Sequence, residues 1–588
     1  MADKTLDKRD EQLDDTPWGH KWGFKDTRFI LQPDRSVRVT GDRYAISGTE
    51  MPDFIPFVEE MLGVTIDPED LKPEVAEKPV PPPVINDAFY KALQANFPDS
   101  HYSQEDSERL VHSHGQTTVD EVYQVLYNQI DRVTDLVFYP ESDKDVVTLI
   151  DLAIKHNVCL VPFGGGTSVS CALKLPANET RMIIVVDMRR MNKILWLDRD
   201  NHLACIQAGI TGKVLEEELE KVGFTSGHEP DSLELSTLGG WIATNASGMK
   251  KNKYGNIEDM VENYTLITPK GVVEQKTTMP RLSIGMQPTK FLFGNEGNLG
   301  IITKAVMRIH KLPEAKKYGS IVFPTFAKGI DFLYELTRTG VLPASVRLVD
   351  NFQFRFGSAL RPKPTPMAAL IHKLQKFFLL NVKGFDPHQM CATTLVMEGS
   401  RSEVAYQEKL VYRLAKKHGG IAGGEGNGKR GYMLTYAIAY IRDFMADYHV
   451  TGETYETTVP WDKINDVLKA VDKMAREKHE AYGLPGKPYV SPRITQLYHT
   501  GVCIYFTHGF SAKGVENPDR IFSEIEHSLR ETILANGGSV SHHHGIGKLR
   551  RDFMPDTLSE TSIELLREVK EAHDPQNIFG IRNNVFAD

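Results

Sequence analysis

The chain has 588 residues, 41% hydrophobic and 25% charged, the composition of a folded protein with room for three or four units of about 150 residues each. Its 69 basic and 78 acidic side chains leave a formal net charge of −9, which speaks against a nucleic-acid-binding protein with a broad basic face. Cys159, Cys171, Cys205, Cys391 and Cys503 are odd in number and widely spaced, unlike a disulfide framework or a zinc pattern, and no uncharged run reaches the roughly 18 residues needed to cross a bilayer.

The acidic start MADKTLDKRDEQLDD lacks the apolar core of a signal peptide, so a soluble protein of a reducing compartment is expected, at most lying on a membrane. Residues 1–85 form an N-terminal segment that closes on the proline stretch KPVPPP (78–83), an extended linker with no chemistry of its own. Helical periodicity follows from Asp87 to Leu110. From Thr134 the order is strand, helix, strand, with Ser142 and Asp145 placed to cap the helix.

The second strand of that unit runs into Pro162–Ser170, PFGGGTSVS. Three consecutive glycines remove every Cβ from the turn, so that backbone N–H groups can converge on a diphosphate, with Thr167 and Ser168 adding hydroxyls. The spacing fits neither the dinucleotide GxGxxG pattern nor a P-loop. A second stretch, Ser226–Gly248 (SGHEPDSLELSTLGGWIATNASG), is rich in Ser, Thr, Asn and Gly, and its Thr237–Ala243 part predicts a short helix whose N–H groups would face an anion. A third, Phe293–Thr303 (FGNEGNLGIIT), is a glycine turn leading into an apolar strand.

Beyond residue 310, strand-like IVFPTF, SVRLVD and CATTLVMEG alternate with helical segments, which predicts a second domain of helices packed on an antiparallel sheet. Within it, Met367, Leu370, Ile371, Leu374, Phe377 and Phe378 recur at helical spacing beside His372, Lys373 and Lys376. Two readings stay open for this helix: an interfacial one that dips into a membrane, or an amphipathic one packed on its own core. Near the C-terminus comes SHHHGIGK (541–548). Adjacent histidines diverge, so the three cannot all ligate one metal from a regular segment; they can surround a substrate, with repulsion keeping at least one imidazole neutral.

The order PFGGGTS, DSLELST, TNASG, GNEGNLGIIT resembles the flavoproteins with a vanillyl-alcohol-oxidase (PCMH) type FAD domain. The resemblance implies an α+β fold, with an FAD-binding domain over 86–309, a cap or substrate-binding domain over 310–550 built on an antiparallel sheet flanked by helices, and a C-terminal return over 551–588 packing on the FAD domain. It implies that FAD is held by Pro162, Phe163, Gly164, Gly165, Gly166, Thr167, Ser168 and Val169, by Asp231, Ser232, Leu233, Glu234, Leu235, Ser236 and Thr237, by Thr244, Asn245, Ala246 and Ser247, and by Glu296, Gly297, Asn298, Leu299, Gly300, Ile301 and Ile302. Thr167 stands where several members carry a flavin-linking histidine, so non-covalent FAD is expected.

Oxidising relatives acting on 2-hydroxy acids show Glu-His-Gly-Ile-Gly where this chain has His543 in the glutamate position, so no metal is expected. The run HHHGIGKLR, with ASVRLVDN (344–351), YIRD (440–443) and TGVCIYF (500–506), resembles the alkyldihydroxyacetonephosphate synthase family. That resemblance implies an enzyme of ether-lipid (plasmalogen) synthesis that exchanges the acyl group of acyl-dihydroxyacetone phosphate for a long-chain fatty alcohol through a non-redox FAD N5 adduct. Tyr505 is the implied acid/base, helped by His542, His543 and His544; Arg442 is the implied phosphate ligand; Arg347 is expected at or near a strand end, orienting flavin or substrate. Arg493 and His508 are weaker candidates. A homodimer, a peripheral membrane surface and a peroxisomal address are implied too, although the C-terminal NVFAD is no SKL-like tripeptide. The alternative on the same scaffold is an FAD-dependent D-2-hydroxy-acid dehydrogenase.

Overall fold

The computed structural model describes residues 16–72, 80–127 and 130–586. The acidic start and the first part of the proline stretch lie outside the described residues, as do the side chains at 368 and 372. The chain forms two compact units, one of residues 74–312 with 539–588, the other of residues up to 73 with 313–538.

In the first unit, Leu136–Phe138, Ile183–Asp187 and Cys159–Phe163 pair in parallel, with Tyr102–Ser103 antiparallel on the outer edge. Helix Asp143–His156 makes the crossover, and its start carries the expected reciprocal cap between Ser142 and Asp145. Strands Cys159–Phe163 and Ile183–Asp187 are buried on both faces, which is why they read as continuous apolar runs. A separate five-stranded antiparallel sheet contains Val261–Thr268, Ile301–Arg308 and Leu203–Gln207 at its centre.

The second unit is built on a seven-stranded, wholly antiparallel sheet in the order Ile421–Ala422, Ala315–Phe323, Cys391–Gly399, Ser345–Val349, Tyr489–Leu497, Gly501–Ser511, Val450–Pro460. Four long helices, Phe326–Arg338, Arg401–Lys417, Ile464–Ala481 and Pro518–Ala535, bury one apolar stripe each.

The boundaries differ from those expected from the sequence, and hydrogen bonds give the reason. The histidine run falls with the first unit, because the Lys548 and Leu549 N–H groups donate to Ser170 O (3.0 and 3.2 Å) and Arg550 Nη2 donates to Val169 O (3.1 Å). The N-terminal segment falls with the second: it has its own three-stranded sheet, and Trp22 N–H donates to Asp443 Oδ2 (2.9 Å) and Phe24 N–H to the Tyr440 hydroxyl (3.0 Å).

Candidate active site

In the first unit the glycine triplet leaves strand Cys159–Phe163 and lies against residues 235–237. A Cβ on Gly165 would sit on the Leu235 carbonyl, and one on Gly164 would collide with the Thr237 hydroxyl; Gly166 has φ +69°. The glycines are thus required by the close approach of two stretches that both carry the family pattern. Among the described residues, the N–H groups of Gly165, Gly166 and Thr167 donate to no protein acceptor. Three consecutive unsatisfied donors in a turn form a concavity suited to a diphosphate, so the residues present fit FAD.

The short helix Leu238–Thr244 departs from expectation as an anion site. Leu238 N–H donates to Ile210 O (3.2 Å) and Gly239 N–H to Ala208 O (2.8 Å), so two of its first donors are already satisfied by the neighbouring loop. At its other end Asn245 adopts a left-handed conformation, and a Cβ on Gly294 would collide with the Asn245 side-chain amide, which locks the TNASG and GNEGNLG stretches together. The Ser247 hydroxyl is buried without a partner among the described residues. Leu299 and Ile302 lie in the hydrophobic cluster around Trp241, Ile301 in the cluster of the parallel sheet, and the Asn298 amide accepts from Asn583 N–H (3.1 Å). These side chains therefore support the site from the core.

The Glu296 carboxylate has another role. It is buried, and it accepts from the consecutive N–H groups of Ile546 (2.5 Å) and Gly547 (2.9 Å), in the turn directly after the histidines. Burial pushes this carboxyl above its usual range, opposed by those same two N–H groups. Within the run, His542 Nδ1 and His543 Nδ1 are 2.6 Å apart, and the His543 and His544 rings stand edge-on at 4.6 Å. Such a contact needs one nitrogen as donor and the other as acceptor, so the two rings cannot both be protonated there. Next to the run, burial pulls the Lys548 ammonium down to about 7, while its Nζ donates to Asn583 Oδ1 (2.8 Å).

The sequence reading missed His228. It is buried with its ring 4.6 Å from Trp241, both ring nitrogens lack a partner among the described residues, and burial, reinforced by His543, pulls it down to about 3. It lies inside the quoted SGHEPDS stretch, but a single histidine among polar residues carries no sign of burial.

In the second unit, register decides which side chains meet. Arg493 pairs with Tyr505, and Tyr505 with Glu456, so all three share one face of the sheet. Val349 opposite Arg493 places Arg347, two residues away, on that face as well. The Arg493 guanidinium stands over the Tyr505 ring at 4.6 Å, a cation–π contact. Arg347 sits mid-strand rather than at its end, pairs with Thr394, and donates to the Thr435 hydroxyl (2.6 Å), which offsets the cost of burying its charge. Arg442, on helix Ile438–Ala446, donates through Nε (2.8 Å) and Nη2 (2.5 Å) to Asp443 Oδ1. The weaker candidate His508 falls on the opposite face: it stacks on Phe522 at 5.4 Å, and burial pulls it down to about 3.

Helix Pro366–Phe377 and the residue after it do not pack as a core helix would. Met367, Leu370, Ile371, Leu374, Phe377 and Phe378 are exposed by 42–68%, so this apolar stripe is not part of a core.

Two family descriptions match the chain: an FAD binding domain over residues 134–275 and the C-terminal domain of FAD linked oxidases over 312–582. The chain is 41% identical to the alkyldihydroxyacetonephosphate synthase of Caenorhabditis elegans, covering 96% of this chain and 94% of that protein. It is 33% identical to that of Dictyostelium discoideum, covering 95% and 92%. A solved alkyldihydroxyacetonephosphate synthase superposes with a TM-score of 0.83 at 28% identity, over 98% of both chains. With this similarity running along nearly the whole length of both proteins, the chain belongs to the alkyldihydroxyacetonephosphate synthase family of FAD-linked enzymes.

Proposed function

We propose that this protein is an FAD-dependent alkyldihydroxyacetonephosphate synthase, exchanging the acyl group of acyl-dihydroxyacetone phosphate for a long-chain fatty alcohol with no net redox change. The observation that carries the reading, beside family membership, is the pairing of Tyr505 with Arg493 on one buried sheet face. Bound, non-covalent FAD would supply covalent catalysis without net electron transfer. The chain's own residues do the rest. Gly165, Gly166 and Thr167 offer three N–H groups to the diphosphate. Tyr505 moves the proton of the reacting carbon, with the Arg493 guanidinium over its ring. Arg442 and Arg347 bring permanent positive charge to a phosphate-bearing substrate. In the histidine run, the proton between His542 and His543 gives a pair in which one ring donates and the other accepts.

The decisive experiment supplies palmitoyl-dihydroxyacetone phosphate and labelled hexadecanol and follows fatty acid release together with the flavin spectrum. Exchange without flavin reduction is expected; no exchange would sink the assignment, and bleaching by a D-2-hydroxy acid would favour a dehydrogenase.

Both substrates are amphiphiles, and the proposal includes peripheral contact with a membrane through the exposed apolar stripe of Pro366–Phe377. Among the described residues no helix is long and apolar enough to cross a bilayer. Phe377→Glu is expected to weaken binding to neutral liposomes about tenfold with bound flavin unchanged. A homodimer and a peroxisomal address belong to the same proposal and rest on the family resemblance.

A further inference from the structure

Between Asn351 and Phe385 the sequence has six lysines and arginines and no aspartate or glutamate. Arg355 is paired with Glu60 (2.6 Å). Arg361, just past the C-terminus of helix Asn351–Ala359, and Arg430, on helix Glu425–Met433, are different. Arg361 donates to Asn427 Oδ1 (3.2 Å) and Arg430 to Gly357 O (3.0 Å), both neutral acceptors, and among the described residues neither has an ion pair. Arg361 Nε is buried with no hydrogen-bond partner.

Burial lowers the pKa of both, Arg430 to about 10, and the charge of Arg361 pushes Arg430 the same way. Two partly desolvated guanidiniums that repel each other are unfavourable until an anion joins them. Capping the carbonyls of helix Asn351–Ala359 accounts for one cation; a second adds repulsion that such a cap does not need. The guanidinium fork matches phosphate oxygens in pairs. Five residues after Arg361 begins the helix with the exposed apolar stripe, so groups suited to the phosphate and to the acyl chain of a phospholipid follow one another along the chain.

We propose that Arg361 and Arg430 form a binding site for the phosphate headgroup of an anionic membrane lipid, ahead of the apolar helix Pro366–Phe377. The site deepens the membrane contact proposed above and rests on it. The test is sedimentation of the FAD-loaded enzyme with neutral phosphatidylcholine vesicles, and with vesicles in which about one lipid in ten is phosphatidic acid. Phosphatidic acid is expected to tighten wild-type binding roughly tenfold or more, at about fivefold per engaged basic residue. R361Q/R430Q should abolish that gain while keeping bound flavin and neutral-vesicle binding. K373Q/K376Q removes the same number of charges, both of them exposed, and should retain most of the gain. Equal losses in the two double variants would mean diffuse attraction and overturn the site. No gain in the wild type would also overturn it, whatever the neutral vesicles do, whereas loss of neutral-vesicle binding alone strikes the apolar helix. Stabilisation of the wild type by inorganic phosphate, absent in R361Q/R430Q and unaccompanied by a vesicle gain, would identify a free-phosphate site and overturn the lipid assignment.

Discussion

The two units make their chemistry from different materials. Around Gly164–Gly166 the functional groups are backbone N–H donors, available because side chains are missing; on the seven-stranded sheet they are side chains, Arg347, Arg493, Tyr505 and Glu456, gathered on one face by strand register. A backbone site is intolerant of any added atom. A side-chain site tolerates its surroundings but depends on single functional groups.

The sharpest challenge to that contrast is Gly165→Ala. With the Leu235 carbonyl where the new methyl must go, the two cofactor-lining stretches have to separate, and we expect a protein without flavin, read from the absorbance of the purified enzyme. Tyr505→Phe should leave flavin bound and lower kcat for exchange by about 10²–10⁴, the range of a lost acid/base. A loss of flavin there would erase the distinction between the units.

Glu296 tests a side chain acting on backbone. Glu296→Ala strands two N–H groups at about 1–3 kcal/mol each, and exchange should fall roughly tenfold or more as the turn after His544 loosens; Glu296→Gln, retaining one acceptor, should fall between. Faster amide deuterium exchange in a peptide spanning 541–548 should accompany both.

The smallest effect belongs to His508, three residues from Tyr505 but on the other face. Its folded pKa of about 3 lies below the unfolded value near 6.5, so between these the unfolded chain binds the extra proton. Its contribution to stability is present above pH 6.5 and is lost as pH falls toward 3. His508→Phe should reduce the loss of melting temperature over that window and leave kcat unchanged; an equal acid sensitivity would count against the assignment.

These contrasts also explain what was legible in the sequence. The glycine loop, the Ser142 cap and the alternation of strands and helices beyond residue 310 are local, and the structure has each of them. Tyr505 and His508 sit on one apolar strand, and only pairing with Arg493 on the adjacent strand tells their faces apart. Arg493 is a weak candidate in the sequence because its partner is set by tertiary register. The motif around Glu296 points to the cofactor, while its carboxylate is turned to a segment 250 residues away, a partner no local pattern reveals. The N-terminal segment looked chemically silent, yet Trp22 N–H holds Asp443, the carboxylate that orients Arg442.

The straps across the glycine loop bear on the order of events during synthesis. Leu160 N–H donates to Ile578 O (2.7 Å), and the Asn583 amide donates to Ala172 O and Glu296 O (2.9 Å each). A nascent chain that has emerged only as far as residue 312 has every glycine of the cradle and none of these closures. Flavin capture by the finished cradle therefore waits until residues 578–583 have been made, and ribosome-bound chains arrested before residue 577 should carry no flavin.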